Sequence, residues 1–199
     1  MRHFSIYALA FLGLAILMTT GVQSRAGADP ALEPAEFVIA PLGTIIEGRY
    51  AGGDVTKLRI DEIGDLSVTW TKLVGEGRQD TLRLICWMGC SPTRRPIELD
   101  RYREIWPLEV GKKAKFKRRR ADGSKTWNHK LRVLRTETLE TALGPIDTFV
   151  VEEKVRWSDG SAKATYWFAP SLGWWVKVKW TLGNGKKGGW NITSITPPG

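Results

Sequence analysis

Histidine and cysteine are the scarce residues of this chain, with two of each among 199. His3 sits at the extreme start, so His129 alone is left for chemistry in the body of the protein. It follows Trp127 and Asn128 in strand-like sequence, and no serine or cysteine motif points to a nucleophile–base pair. It therefore reads as a surface or strand histidine. Two cysteines and one histidine do not complete a zinc shell. No catalytic residue, no metal and no cofactor is expected. Acid is also short, with 21 Asp and Glu against 30 Lys and Arg, a net charge of +9. The acids that adjoin, Asp61 with Glu62 and Glu152 with Glu153, are sequence neighbours. Neighbouring strand residues face opposite sides, so neither pair makes a shared carboxylate site. Lys154 and Arg156 beside Glu152 and Glu153 suggest cross-strand ion pairing instead. The glycine-rich run Gly183-Asn184-Gly185-Lys186-Lys187-Gly188-Gly189 lacks the spacing of a phosphate loop and has no helix after it, so it reads as a hairpin loop. Amphipathic helical periodicity is missing throughout.

Long apolar runs are confined to the start. Arg2 and His3 precede an apolar stretch from Phe4 to Leu17, and Ala26-Gly27-Ala28 supplies small residues at both positions that signal peptidase reads. The expected cut lies between Ala28 and Asp29, giving a signal peptide over 1–28 and a β-rich domain over 29–199. The alternative is an uncleaved anchor, which needs about 20 apolar residues; Thr19, Thr20, Gly21, Gln23 and Ser24 dilute the second half of the stretch. Neither cysteine is near the cut, which excludes lipid attachment there. No later stretch is apolar enough to span a bilayer. The expected location is the periplasm or the exterior. Losing Arg2 and Arg25 with the leader still leaves a basic chain. Such a protein meets anionic lipid headgroups, glycans or envelope proteins, or is merely kept soluble by its charge; nucleic acid is not an expected partner.

What is present is alternation. Thr56–Ile63 sets Leu58 and Ile60 against Lys57, Arg59 and Asp61, and Leu66–Leu73 sets Val68 and Trp70 against Ser67, Thr69 and Thr71. Further strands are expected over Thr44–Tyr50, Gln79–Cys86, Lys112–Arg120, Thr126–Thr136, Ile146–Trp157, Ala162–Phe168, Trp174–Leu182 and Gly189–Ile195. Thr138–Leu143 is ambiguous, and the proline-marked stretch before Pro41 is an extended lead-in. Trp87–Glu104 breaks the rhythm as a long loop. The fold class is all-β: an antiparallel sandwich, barrel or half-barrel of roughly ten strands behind the signal helix. The loop divides the domain into candidate halves, 41–99 and 100–199. Pro41-Leu42-Gly43-Thr44 with Lys57-Leu58-Arg59-Ile60 echoes Pro107–Lys112 with Lys130-Leu131-Arg132-Val133, through duplication or shared strand-and-turn vocabulary.

Three segments of the second half carry a resemblance: Trp106-Pro107-Leu108-Glu109-Val110-Gly111-Lys112, Leu143-Gly144-Pro145-Ile146-Asp147-Thr148-Phe149, and Thr165-Tyr166-Trp167-Phe168-Ala169-Pro170-Ser171-Leu172-Gly173. In this order they resemble a bacterial exported domain family of unknown function, over about residues 106–179. The resemblance implies an envelope location and an antiparallel β fold, and it supplies no catalytic residues.

Two features stand out from ordinary strand sequence. Lys112–Arg120 reads KKAKFKRRR, so Ala114 and Phe116 share one face while Lys113, Lys115, Lys117 and Arg119 line the other. This is either an edge strand guarded by lysine or a track for a polyanion. All ten tryptophans lie beyond the leader. Strict alternation over Trp174–Leu182 places Trp174, Val176, Val178 and Trp180 on a core face and Trp175, Lys177 and Lys179 on the opposite one. That arrangement sets a ring beside cations, as a stacking platform or under lysine stems. The expected function is a non-catalytic exported protein that binds an anionic envelope component or assists an envelope partner. A carrier of an apolar ligand such as a lipid is the alternative, and a hydrolase the third reading.

Cys86 and Cys90 are expected to form a disulfide in an oxidising compartment. Three residues separate them, unlike the two of thioredoxin-like redox motifs. Four extended steps would hold their α-carbons roughly 13 Å apart, whereas a disulfide needs about 4.4–6.8 Å. The strand must therefore end near Cys86 and Trp87-Met88-Gly89 must curl. Intact mass before and after reduction checks this: a gain of two hydrogens is expected, and an unchanged mass refutes the bond.

Overall fold

The computed structural model describes residues 32–64, 67–74, 78–84, 103–119 and 123–199. The leader with its expected cut at Ala28 and Asp29, and the Cys86–Cys90 pair, lie outside the described residues. Ten strands form among the described residues: β1 Ile45–Tyr50, β2 Val55–Gly64, β3 Ser67–Val74, β4 Arg78–Leu84, β5 Lys113–Arg119, β6 Thr126–Thr141, β7 Gly144–Trp157, β8 Gly160–Ala169, β9 Trp174–Leu182 and β10 Lys187–Thr196. They make one sheet in the order β4-β3-β2-β1-β10-β9-β8-β7-β6-β5, antiparallel throughout. The first four strands meander away from β1. The last six start at the opposite edge and meander back until β10 pairs with β1.

Of the closures expected from sequence, this is the open half-barrel form, with β4 and β5 as edges. Trp70 of β3 lies 5.7 Å from Trp174 and 6.3 Å from Trp175 of β9, ring centre to ring centre. Strands β2, β1 and β10 intervene, a flat separation of about 19 Å at 4.8 Å per strand. The sheet must curl to bring these rings together.

The inner face of β5–β8 carries Ala114, Phe116, Leu131, Val133, Phe149, Val151, Ala164, Tyr166 and Phe168, all buried. The protein's own chain fills the hollow. The extended lead-in and the approach to β5 cross there and join through two backbone bonds, Ala35 N–H to Leu108 O at 3.0 Å and Leu108 N–H to Ala35 O at 2.7 Å. Phe37 meets Trp106 edge-on at 5.1 Å, and Trp106 meets Phe168 at 5.4 Å. Lys112, expected at the head of the strand, precedes it: its ammonium donates to the carbonyls of Trp106 and Pro107 at 2.8 and 3.0 Å.

The ambiguous stretch Thr138–Leu143 resolves as the far end of β6 and its turn. A bulge between Val133 and Arg135 bends the β6–β7 hairpin, and Leu139 and Ile146 at its tip pack against the buried cluster that contains Val150, Trp167 and Val176. The turn is fixed by Thr141, whose hydroxyl donates to Gly144 O at 2.8 Å and accepts from Leu143 N–H at 3.0 Å. Gly144 takes φ +94°, which a side chain would resist.

Three glycines of the sheet lie under tryptophan rings: Gly48 under Trp190, Gly188 under Trp180 and Gly160 under Trp157. Each ring covers the space that a side chain would have filled. A Cβ on Gly48 would stand 2.0 Å from Cζ2 of Trp190, which is buried and closely packed. Gly48→Ala is expected to destabilise the protein by about 1–3 kcal/mol, checked by the midpoint of urea unfolding.

Candidate functional site

Period-two alternation in β5 leaves Ala114 and Phe116 buried and Lys113, Lys115, Lys117 and Arg119 exposed on the outer face. Between β5 and β10 the register carries no shift at the level of these residues, so partners can be read straight across the sheet. One row runs Lys115, Lys130, Lys154, Lys163, Thr181, Lys187. The row on one side runs Lys113, Arg132, Glu152, Thr165, Lys179, Gly189. The row on the other side runs Lys117, Asn128, Arg156, Ser161. Directly opposed residues share a face, so these rows form a cationic field across six strands.

Glu152 is the one carboxylate in the three rows. Lys154 lies 2.9 Å from its Oε1 and Lys163 2.6 Å from its Oε2. Burial works against ionisation of Glu152, but hydrogen bonds and charge from Lys163 and Lys154 outweigh it and hold its carboxyl below the ordinary value. This stabilising contribution is therefore present above the unfolded carboxyl range and is lost as pH falls through the depressed value. The expected ion pairing near Glu152 is thus seen, along the strand to Lys154 and across it to Lys163.

Strict alternation fails in β9. The β8–β9 ladder shifts register between Trp167 and Phe168: Trp167 pairs with Lys177, but Phe168 pairs with Trp175. The bulge puts Trp175 in phase with inner-face Phe168 and leaves Lys177 and Lys179 on the outer face. The expected grouping of Trp175 with these two lysines is therefore wrong, and so is the single face shared by Trp174, Val176, Val178 and Trp180. The ring beside the cations is Trp167, with Lys177 Nζ 5.1 Å and Lys179 Nζ 5.9 Å from its centre. Its indole N–H donates to Glu137. Trp167 is only 7% exposed, so it is a floor under the two lysines. Burial, then the charge of Lys179, lowers the Lys177 pKa against an opposing pull from Glu137.

His129 is in a strand as expected, but it is buried on the inner face. Its ring stacks on Phe116 at 4.5 Å, and Nδ1 lies 2.6 Å from Oε1 of Glu153. The hydroxyl of Tyr166 donates to Oε2 of the same carboxylate at 3.0 Å. Three strands thus contribute one polar cluster to an apolar face. The signal for it lies in the sequence: His129 shares the phase of Leu131 and Val133, and Glu153 that of Phe149 and Val151, so both occupy positions that alternation assigns to the core.

The region of residues 54–187 matches a family described as proteins of unknown function, DUF3108, and the chain belongs to this family. The match extends well before the segments that first suggested a resemblance. No curated protein is significantly similar to the chain. Among solved structures it is similar to the hypothetical lipoprotein YmcC of Escherichia coli K12, at 15% identity and TM-score 0.46 over 77% of this chain and 85% of that one. It is also similar to a Bacteroides fragilis protein described as exported and YmcC-like in fold, at 14% identity and TM-score 0.46 over 81% of this chain and 99% of the other.

The buried cluster makes a stability prediction. Tyr166→Phe removes one donor from the Glu153 carboxylate and should cost about 1–3 kcal/mol, measured by denaturant unfolding. An unchanged unfolding midpoint would show that the hydroxyl contributes nothing.

Proposed function

We propose that this protein is an exported, non-catalytic binding protein whose outer sheet face lies against an anionic component of the cell envelope, a surface of phosphate-bearing lipid headgroups. In this reading residues 29–199 work as one β-rich unit in the periplasm or beyond. The observation that carries it is the placement of Lys130, Lys154 and Lys163 directly opposite one another on interior strands. Guarding an edge against aggregation accounts for lysines on β5; it gives no reason for lysines on β6, β7 and β8. Like charges directly opposed are destabilising, and a polyanion on that face turns the repulsion into attraction.

The burial of Trp167 favours headgroups over a stacked glycan, because no open ring is offered on this face among the described residues. The carrier reading finds no support in the inner hollow, which the lead-in and the approach to β5 occupy. A hydrolase would need His129 beside a nucleophile in a cleft, whereas its ring lies between Phe116 and Glu153. An acidic envelope protein could use the same charges.

Co-sedimentation with phosphatidylglycerol vesicles, compared with phosphatidylcholine alone at low and high salt, tests the proposal. Binding should be confined to the anionic vesicles and weaken steeply with salt. Lys130→Glu with Lys163→Glu should weaken it by roughly thirtyfold or more, at about 1 kcal/mol per cation lost. Lys115→Glu with Lys117→Glu should act likewise, and Glu152→Gln should tighten binding. If the folded Lys130→Glu/Lys163→Glu protein keeps its salt-sensitive binding, the field is not the binding surface. If it binds only acidic protein, the lipid reading is wrong.

A further inference from the structure

The register shift in β9 has a second result. It places Lys177 in a new row with Trp167 on one side and Asn191 of β10 on the other, and Asn191 in turn opposes Arg49 of β1. The β6–β7 hairpin, curled over this row, closes one side of a cleft of about 320 Å³ lined by Arg49, Lys177, Asn191, Thr193, Thr141 and Glu140, among others. The α-carbons of Lys177 and Arg49 are two ladder steps apart, about 10 Å. The long side chains on either side of a short amide can therefore converge on one small group.

We infer that this cleft binds a single phosphate group, held by Arg49, Lys177 and Asn191. Arg49 has one nitrogen committed to the carbonyl of Gly53 at 3.1 Å, which anchors the side chain and leaves other guanidinium donors for a ligand. Lys177 is half-buried and rests on the Trp167 ring. Glu137, the acid whose charge reaches Lys177, is itself engaged by Arg135 and by the indole of Trp167. Glu140, on the hairpin wall, is exposed and forms no ion pair with either cation among the described residues. Arg49 and Lys177 thus bring positive charge to the cleft with no ion pair to a carboxylate among the described residues, and partial burial of Lys177 disfavours its free ammonium. Arginine supplies a planar fork suited to phosphate, and the asparagine amide adds a directional donor.

The inference deepens the headgroup reading, since the cleft borders the cationic field, but it can be tested without a membrane. Backbone amide spectra of the isotopically labelled mature protein are recorded while inorganic phosphate and, separately, glycerol 3-phosphate are added at constant ionic strength. Saturable shifts are expected at Arg49, Lys177, Asn191 and the hairpin residues 139–142. Arg49→Gln and Lys177→Gln should each weaken this binding by about tenfold, with spectra showing that both variants are folded. The Lys130→Glu/Lys163→Glu protein should bind the small anions as the wild type does while losing the vesicles, which separates failure of the field from failure of the cleft. Tighter binding of glycerol 3-phosphate than of phosphate assigns a lipid-derived source, and the reverse assigns free phosphate; either supports the site. Shifts that do not saturate, that spread over the lysine rows, or that persist in both glutamine variants overturn it.

Discussion

A strand slipped by one residue turns every side chain to the other face. The register from β5 through β8, unshifted at the level of the lysine row, is therefore the constraint on which both faces of this sheet depend. The same ladders that bury Phe116, Leu131, Phe149 and Tyr166 inward bring Lys115, Lys130, Lys154 and Lys163 into line outward. Neither face can change without the other. What holds the register is apolar burial: each large apolar side chain taken fully from water contributes about 1.5–3 kcal/mol. Two unit charges about 5 Å apart in water repel by less than about 1 kcal/mol, and salt screens them further. The inner face can hold a line of opposed lysines on the outer one and still fold.

That comparison explains why the charge survives, and the filled hollow explains where it can act. With residues 32–37 and 103–108 seated on the inner face, the surface that β5–β8 leave free among the described residues is the outer one. The outer face is itself divided. Near the β6–β7 tip, Leu139 and Ile146 bring apolar cover to the buried cluster that contains Val150, Trp167 and Val176. Away from the tip the cations lie open. The bulge in β6 and the bulge between β8 and β9 mark the border between the two regions, and Lys177 stands on that border.

Much of this was legible in sequence, in proportion to how local it is. Alternation within KAKFKRR predicts the burial pattern of β5 position by position. Alternation within Trp174–Leu182 fails because a bulge adds a residue to one strand, and nothing local at Trp175, Val176 and Lys177 announces it. The lysine row was invisible for a different reason. Lys115, Lys130, Lys154 and Lys163 belong to four strands, and only long-range register makes them neighbours. The His129–Glu153–Tyr166 cluster combines both cases: each polar residue stands out locally in an apolar phase, while their meeting depends on the same ladders that align the lysines.

The residue types on the two parts of the outer face also differ in what they can recognise. The central row is built from lysine, a compact charge on a flexible stem, which attracts an anion without fixing its orientation. A lattice of such charges suits a surface presenting many equivalent anions and discriminates poorly among them. At the border, Arg49, Asn191 and Lys177 offer a planar fork, an amide and an ammonium that partial burial and the charge of Lys179 disfavour. Directional donors discriminate by geometry, and a partly desolvated cation gains more from an anion than an exposed one does. The field would then govern how strongly the protein is drawn to an anionic surface, while the cleft would govern which group on that surface it holds. Attraction by the field falls with salt over a Debye length, whereas contacts to the partly buried Lys177 are screened less.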